Sequence, residues 1–187
     1  MAVILQAALQ VLEKEGAQRF TTARVAEKAG VSVGSLYQYF PNKAAILFRL
    51  QSDEWRQTSE LWTAILADAR RPPPERLRAL VHAFVRSECE EVEVRTALDD
   101  AAPLYRDAPE AREARAAGAR AFRAFMQQAL PDATDATRTL AGEVITMALG
   151  AVGKQVSERT RVQAQIDAYA EALADMLCAY LEALERG

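Results

Sequence analysis

The residues whose types and spacing could do chemistry lie in one short segment, residues 21–43, which reads TTARVAEKAGVSVGSLYQYFPNK. Its apolar side chains at Ala26, Val31, Leu36 and Phe40 recur at spacings that let two short helices pack together. The remaining faces of the second short helix then carry Val33, Gly34, Ser35, Tyr37, Gln38 and Tyr39. An exposed cluster of tyrosine and glutamine is difficult to explain as packing, whereas it suits a DNA major groove. There glutamine can hydrogen-bond an adenine edge through two atoms, and hydroxyl groups reach phosphates or bases.

Two glycines and a lysine fit the same interpretation. Gly30 lies between the two short helices, where a tight turn needs a positive φ. Gly34 has no side chain, which would let its helix approach the bases closely. Lys43 begins the next helix and can neutralise a phosphate, assisted by the free amide groups at that helix start. Helix-turn-helix units also occur in proteins that bind no DNA, so the spacing alone leaves both alternatives open.

The charge distribution favours a nucleic-acid partner for the first part of the chain. The 187 residues have a net charge of −3. Residues 1–50 carry six basic and three acidic side chains, a balance of +3, so the remainder sums to −6. A basic head on an acidic body is a plausible layout for a DNA-binding protein.

Bulk composition places the chain among globular proteins of the cytoplasm. Half of the residues are apolar and 26% are charged, which fits a packed domain and not a disordered one. No apolar run reaches the roughly 18 residues of a membrane span. The apolar start lacks a basic region and a cleavage site, so it is interpreted as helix and not as a signal peptide. Cys89 and Cys178 are far apart and are expected to be reduced, which indicates a cytoplasmic location.

The spacing of apolar residues predicts an all-α fold of about nine helices. Apolar side chains recur every three or four residues, and strand-like alternation is absent. The predicted helices are 2–15, 22–29, 33–40, 43–69, 75–92, 110–130, 135–157 and 162–185, with a less regular stretch at 94–108. We divide the chain into a helix-turn-helix DNA-binding domain at 1–47 and a body at 48–187, joined by the long helix.

The run AEKAGVSVGSLYQYFPNKAAIL closely resembles the TetR family of transcriptional regulators. The resemblance rests on the Ala-Gly-Val-Ser turn, the Leu-Tyr pair, the aromatic residue before the next turn and the lysine after it. It is specific over residues 2–50, and beyond them only the number and lengths of helices match. At its start the sequence departs from the family, because members often have a basic arm before the first helix and this sequence begins inside that helix.

The resemblance implies a homodimer, a ligand cavity in each body and repression that a ligand relieves. By motif position it assigns base reading to Val33, Gly34, Ser35 and Gln38. It assigns contacts mainly with phosphates to Thr22, Tyr37, Tyr39 and Lys43.

Large side chains from several body helices are candidates for the lining of an apolar effector cavity. They are Trp55, Trp62, His82, Phe84, Tyr105, Phe122, Phe125 and Met126. His82, Tyr105 and Arg123 are the candidate polar anchors for the effector. The alternative is that these side chains form an ordinary core.

Apolar stripes on the last two helices predict the dimer interface, because the stripe on the final helix is wider than one intrachain contact needs. The predicted interface residues are Val144, Ala148, Ala151, Val152, Ile166, Leu173, Leu177 and Leu181. The alternative is that the stripe serves only the core of the single chain.

Together these patterns predict a regulator that binds near-palindromic double-stranded operator DNA as a homodimer. We expect a repressor that a small, mostly apolar effector releases; the alternative is control by a protein partner without an effector. An enzyme is a remote third class, because the sequence has no Ser/His/Asp arrangement and no Cys/His cluster with metal-ligand spacing. No metal or cofactor is expected.

Overall fold

A computed structural model describes residues 1–90, 92 and 109–186 of the chain. Eight α-helices lie in these ranges: α1 (Ala2–Glu15), α2 (Thr22–Ala29), α3 (Val33–Tyr39), α4 (Lys43–Ala67), α5 (Pro73–Glu90), α6 (Pro109–Ala129), α7 (Asp135–Arg159) and α8 (Gln163–Arg186). These ranges contain no strand, so the predicted all-α fold is confirmed. The stretch predicted to be less regular, residues 94–108 with Tyr105, lies outside the described residues.

Helix ends follow local capping chemistry. Thr134 caps α7, because its side chain accepts a hydrogen bond from the backbone N–H of Thr137 at 3.1 Å. Helix α4 ends at Ala67, two residues before the predicted end, and α5 begins at Pro73 inside the proline run. Proline suits the first turn of a helix, where no partner exists for its missing N–H.

The chain divides into two compact units, with one boundary within α4, between Arg56 and Gln57, and another within α6, between Arg112 and Glu113. In the first unit, which includes residues 1–56, one apolar core is shared by α1, α2, α3 and the start of α4. Its largest fully buried side chains are Phe20, Leu12, Leu36, Ile46 and Leu47.

The second unit, which includes residues 57–90 and 113–186, has its own core. Helix α5 packs against α7 and α8. Leu77 and Val81 of α5, Ile145 of α7, and Leu177 of α8 are at most 2% exposed. Each described helix is too short or too polar to cross a membrane.

Gly153 of α7 lets this helix approach α5 closely. A Cβ atom built on Gly153 would lie 2.8 Å from Cε1 of Phe84 and 3.1 Å from Cγ of Glu88. Around Gly118 of α6, by contrast, the same atom would have nothing within 4 Å.

We therefore expect opposite effects from the same substitution at these two glycines. Gly153→Ala should lower the free energy of unfolding by about 1–3 kcal/mol through overpacking. Gly118→Ala should raise it by roughly 0.5–1 kcal/mol, because alanine loses less backbone entropy in a helix. Urea unfolding at one protein concentration measures both changes, and destabilisation of equal size in the two variants would contradict the account.

Candidate nucleic-acid interface

The turn between α2 and α3 is built by short polar residues and one glycine. Thr21 caps α2 by accepting a hydrogen bond from the backbone N–H of Arg24 at 3.3 Å. Gly30 ends α2 with φ of 68°, a left-handed conformation that favours glycine. The N–H of Val31 returns to the carbonyl oxygen of Ala26 at 3.0 Å. These bonds fix the point at which α3 begins.

Helix α3 is oriented by what it buries. Ser32 caps it, accepting a hydrogen bond from the N–H of Ser35 at 3.0 Å. Leu36 is fully buried, and Phe40, which follows the helix, is 5% exposed. The opposite face is in solvent and consists of Val33, Gly34, Tyr37, Gln38 and Tyr39. A patch of two tyrosine rings and a valine on a seven-residue helix is typical of a surface that contacts a partner.

Tyr37 and Ser35 form hydrogen bonds within the site. The hydroxyls of Thr22 and Tyr37 lie 3.2 Å apart, which ties the start of α2 to the exposed face of α3. Ser35 is half-buried, and its hydroxyl lies 2.9 Å from that of Ser32. To bond to a base, the Ser35 hydroxyl would have to share or exchange its hydrogen bond with Ser32. The side chain of Gln38, by contrast, is exposed.

Gly34 is not required by the fold. Its φ is not in the left-handed region, and an added Cβ would meet only the Ser32 hydroxyl oxygen, at an ordinary contact distance of 3.7 Å. Glycine costs a helix up to about 1 kcal/mol relative to alanine. The absence of a side chain here therefore suits a partner that approaches from outside.

The start of α4 adds a cation beside α3. Nζ of Lys43 lies 5.7 Å from the centroid of the Phe20 ring, and the side chain is half-buried. Asn42 accepts a hydrogen bond from the N–H of Ala45 at 2.8 Å and so occupies one of the amide groups at this helix start. Asparagine before a helix is a known capping signal, so this cap could have been predicted from the sequence.

Five of the predicted effector residues pack in or against one apolar core, that of the second unit. Trp62 and Phe84 are half-buried, with ring centroids 5.1 Å apart. Phe125 and Met126 are at most 2% exposed and belong to the core of the second unit. They are therefore already enclosed by their own chain.

Phe122 packs against this same core, whereas the other candidates lie elsewhere. Trp55 is half-buried and lies in the first unit, and Phe122 packs near Phe125 with ring centroids 5.8 Å apart. His82 lies at the surface, where its Nε2 is 2.8 Å from a carboxylate oxygen of Glu171. Arg123 is exposed, so the structure places neither His82 nor Arg123 as an interior anchor. Tyr105, the third predicted anchor, is outside the described residues.

Half of the predicted interface residues are buried within the single chain. Ile166, Leu173, Leu177 and Leu181 are at most 6% exposed and pack in the core of the second unit. These four side chains face inward, which corrects their placement at an interface. Of the predicted residues on α7, only Ala151 is exposed, while Val144, Ala148 and Val152 are half-buried.

The exposed faces of α7 and α8 carry different apolar side chains. Leu140 and Met147 of α7 are 60% and 64% exposed, and Tyr169 and Met176 of α8 are 43% and 54% exposed. Spacings of seven residues place each pair on one helix face. The apolar stripe that the sequence shows on α8 therefore divides between two faces, one buried in the core and one exposed.

Two short helices with a glycine turn, a buried inner face and a polar-aromatic outer face are the arrangement of a helix-turn-helix DNA-binding unit. Comparison with known proteins agrees with this class. Residues 4–50 match bacterial regulatory proteins of the tetR family, and residues 72–184 match the tetracyclin repressor-like C-terminal domain. The second match alone covers more than half of the chain. The chain belongs to the TetR family, as the resemblance predicted, and it is a DNA-binding transcriptional regulator.

Individual relatives match only part of the chain. The nucleoid occlusion factor SlmA of Vibrio campbellii is 42% identical over 85 residues, which cover 44% of this chain and 42% of that protein. The chain thus spans less than half the length of the curated relatives it matches first.

Solved structures match along nearly the whole chain. A TetR/AcrR-family regulator from Thermobifida fusca has a TM-score of 0.70 with 20% identity, and the alignment covers 94% of both chains. FadR of Bacillus subtilis, solved with stearoyl-CoA, has a TM-score of 0.66 with 17% identity over 95% of this chain and 97% of its own. At these identities the likeness shows the fold.

The structure predicts that Gly34→Ala separates stability from DNA binding. The variant should unfold at a higher temperature, since alanine favours the helix. It should bind a DNA site selected from a random library about tenfold more weakly, equal to about 1.4 kcal/mol, because the methyl group occupies the space of the approaching partner. Thermal unfolding and fluorescence anisotropy measure the two effects. Gly118→Ala is the control, which should stabilise without changing DNA affinity; unchanged affinity in Gly34→Ala would contradict a close approach.

Proposed function

We propose that the chain is a repressor that binds a near-palindromic operator as a homodimer and leaves it when a small, mostly apolar effector binds. The observation that carries the DNA-binding part is the exposed face of α3, where Gln38 lies between two exposed tyrosines. A glutamine that protrudes from a helix can bond both N6 and N7 of adenine in the major groove.

In this proposal the residues of the head divide by role. Val33, Gly34, Ser35 and Gln38 read bases, and the hydroxyls of Thr22, Tyr37 and Tyr39 contact phosphates together with Lys43. The bond between Thr22 and Tyr37 supports a shared phosphate position, since it holds two hydroxyl groups 3.2 Å apart. Phosphate contacts fix the register of the helix on DNA, and base contacts provide the sequence preference.

Two copies are proposed to pair through the outer faces of α7 and α8. Helix α7 has apolar side chains on both faces, because Ile145 is buried within the chain while Leu140 and Met147 are exposed. Exposed apolar side chains grouped on one helix face often mark a contact with another protein surface. Pairing of α7 and α8 with their copies would cover Leu140, Met147, Tyr169 and Met176 and form a four-helix interface.

A dimer sets the form of the DNA site. Two α3 helices must enter successive major grooves on one face of the DNA, about 34–36 Å apart, and a two-fold axis in the protein requires a near-palindrome.

The effector is proposed to bind beside Trp62 and Phe84. The indole Nε1 of Trp62 is enclosed and has no hydrogen-bond acceptor among the described residues, although indole N–H groups usually find a partner when buried. A carbonyl or hydroxyl oxygen of an otherwise apolar molecule would satisfy it. An acyl thioester combines these features, and the B. subtilis FadR of similar fold was solved with one.

Helix α4 connects the proposed effector site with the proposed DNA contacts. It begins at Lys43 and continues without a break to Ala67, so Lys43 and Trp62 lie on the same helix. An effector that binds better to a displaced α4 would shift the population towards heads that no longer fit successive grooves. A tenfold loss of operator affinity requires about 1.4 kcal/mol of such preference.

For DNA recognition we expect Gln38→Ala and Lys43→Ala to act differently. Gln38→Ala should relax the preference at one base pair, at a cost of about 1–3 kcal/mol there. Lys43→Ala should weaken binding to all sequences alike and reduce the slope of affinity against salt by about one counterion. Titration of the selected site, of its single-base variants and of random DNA at several salt concentrations measures both effects. Gln127→Ala, an exposed glutamine of α6, serves as control. Parent-like behaviour of both head variants would overturn the assignment.

For the dimer we expect Met147→Glu or Met176→Glu to raise the dissociation constant at least about tenfold, because a carboxylate would replace an apolar contact. Sedimentation velocity at micromolar concentrations reports the change. Leu61→Glu is a matched control, since Leu61 of α4 is 52% exposed and lies outside the proposed interface. A parent chain that sediments as a monomer, or three variants that dimerise equally, would refute this interface.

For the effector we expect stearoyl-CoA or stearate to change the tryptophan fluorescence and to lower operator affinity about tenfold. Trp62→Phe keeps an aromatic ring but lacks the N–H donor, so it should bind the effector about fivefold more weakly, the worth of one hydrogen bond. A ligand that binds but leaves operator affinity unchanged would contradict the coupling. If a broad panel of apolar compounds gives no binding, control by a protein partner becomes the better account.

A further inference from the structure

An open cleft of about 420 Å³ lies in the second unit, where α4 ends and α5 begins. One part of its lining is apolar and consists of Ile65 and several alanines. The other part is charged and consists of Asp68, Arg70, Arg71 and Arg76. Three arginines face one aspartate, so the lining has an excess of two positive charges in a body that is otherwise acidic.

Arg76 is the unusual member of this group, because it is only 3% exposed. Its Nη1 donates hydrogen bonds to the carbonyl oxygen of Leu66 at 2.7 Å and to Oε1 of Gln128 at 2.8 Å. The guanidinium carbon lies 5.4 Å from the centroid of the Phe125 ring. Its Nε has no acceptor, and no carboxylate of the described residues pairs with it. Arginines are rarely fully buried without an anionic partner.

Arg138 also bonds to the end of a helix, yet it has a carboxylate partner. Bonding to a helix end therefore does not explain why the guanidinium of Arg76 has none. Nη1 of Arg138 donates to the carbonyl oxygen of Leu130 at 2.8 Å, much as Arg76 bonds to Leu66. The Nε of Arg138 also lacks an acceptor, but its Nη2 pairs with Asp135 at 2.8 Å. Arg138 therefore has a counter-charge that Arg76 lacks.

Asp68 does not supply that counter-charge. Both of its oxygens accept bonds from Arg70, at 2.7 and 3.1 Å, and Arg71 lies 3.6 Å away. The hydrogen bond from Arg70 lowers the pKa of Asp68 below its ordinary value, so this carboxylate is ionised at neutral pH. Asp68 thus pairs with the exposed Arg70 and Arg71. Arg76 has no anionic partner among the described residues.

We propose that this cleft binds the anionic group of a small molecule, a carboxylate or a phosphate, through Arg76 and Arg71. A planar guanidinium suits both groups, since it can donate two parallel hydrogen bonds to their oxygens. Ile65 and the alanines leave room for an apolar portion next to the anion. The cleft involves other residues than the tryptophan site proposed above, so the inference does not rest on that function.

The test uses the full chain labelled with ¹⁵N at arginine, because the Nε–H signal of Arg76 reports locally on the cleft. Sodium phosphate and sodium octanoate are titrated separately, with sodium chloride at equal ionic strength as reference. Arg76→Lys assigns the signal. We expect a saturable shift with at least one probe: phosphate alone indicates a phosphate ligand, and octanoate alone indicates a carboxylate with an apolar tail.

Charge variants then test whether positive charge in the cleft strengthens binding of the probe and negative charge weakens it. Arg71→Gln should weaken binding of the active probe about fivefold, and Asp68→Asn should tighten it by a similar factor, since one unit charge near the anion is removed in each case. Arg186→Gln, an exposed arginine near the end of α8, is the matched control and should change nothing. A structural cluster without a ligand would give no saturable shift beyond the chloride reference, or equal effects in the variants, and either result would overturn the proposal.

Discussion

The packing of Leu36 and Phe40 into the core of the first unit is the constraint on which the rest of the head depends. Leu36 projects from the middle of α3 and Phe40 directly follows it, and both meet the same core. With these two side chains held, the rotation of a seven-residue helix about its axis is fixed. Tyr37, Gln38 and Tyr39 must then face solvent. The side chains that stabilise the unit therefore also determine which residues it presents to DNA.

The second unit also buries one face of its helices, but the outer faces of α7 and α8 differ in chemistry from the outer face of α3. Its core uses one face of α7 and of α8, and the apolar residues left over lie on the opposite faces. In the head the outer face is polar and aromatic, which suits DNA. In the body it is apolar at Leu140, Met147 and Met176, which suits another protein surface. The contrast between these two outer faces supports separate partners for the two units.

The helices could be predicted from sequence because their signals are local. Gly16, Gly30 and the proline run at 72–74 set the ends of helices through local backbone chemistry, which does not depend on what the helices pack against. The outer face of α3 was also predictable, since a helix of two turns has only one apolar side. On the long helix α8, by contrast, Leu173 and Met176 lie on different faces that are both apolar. Only the three-dimensional packing shows that Leu173 faces inward and Met176 outward, which is why the interface residues were misassigned.

The cleft at Arg76 was not accessible to sequence reasoning for a similar reason. An arginine after a run of prolines and a glutamate is ordinarily solvated, and its burial depends on Gln128 and Phe125, which lie far away along the chain. The sequence also could not decide whether the predicted effector residues line a cavity, because large aromatic side chains fill a core as readily. Trp62 differs from the others in one enclosed N–H group, which depends on packing and not on the sequence pattern.

The central claim, that the outer face of α3 reads the major groove, is tested most directly by methylation interference on the DNA site the protein selects. Methylation at guanine N7 blocks the major groove, and methylation at adenine N3 blocks the minor groove. The account predicts that N7 methylation prevents binding in two clusters about one helical turn apart, related by a two-fold axis. Interference confined to adenine N3, or a single cluster without a symmetry mate, would contradict it.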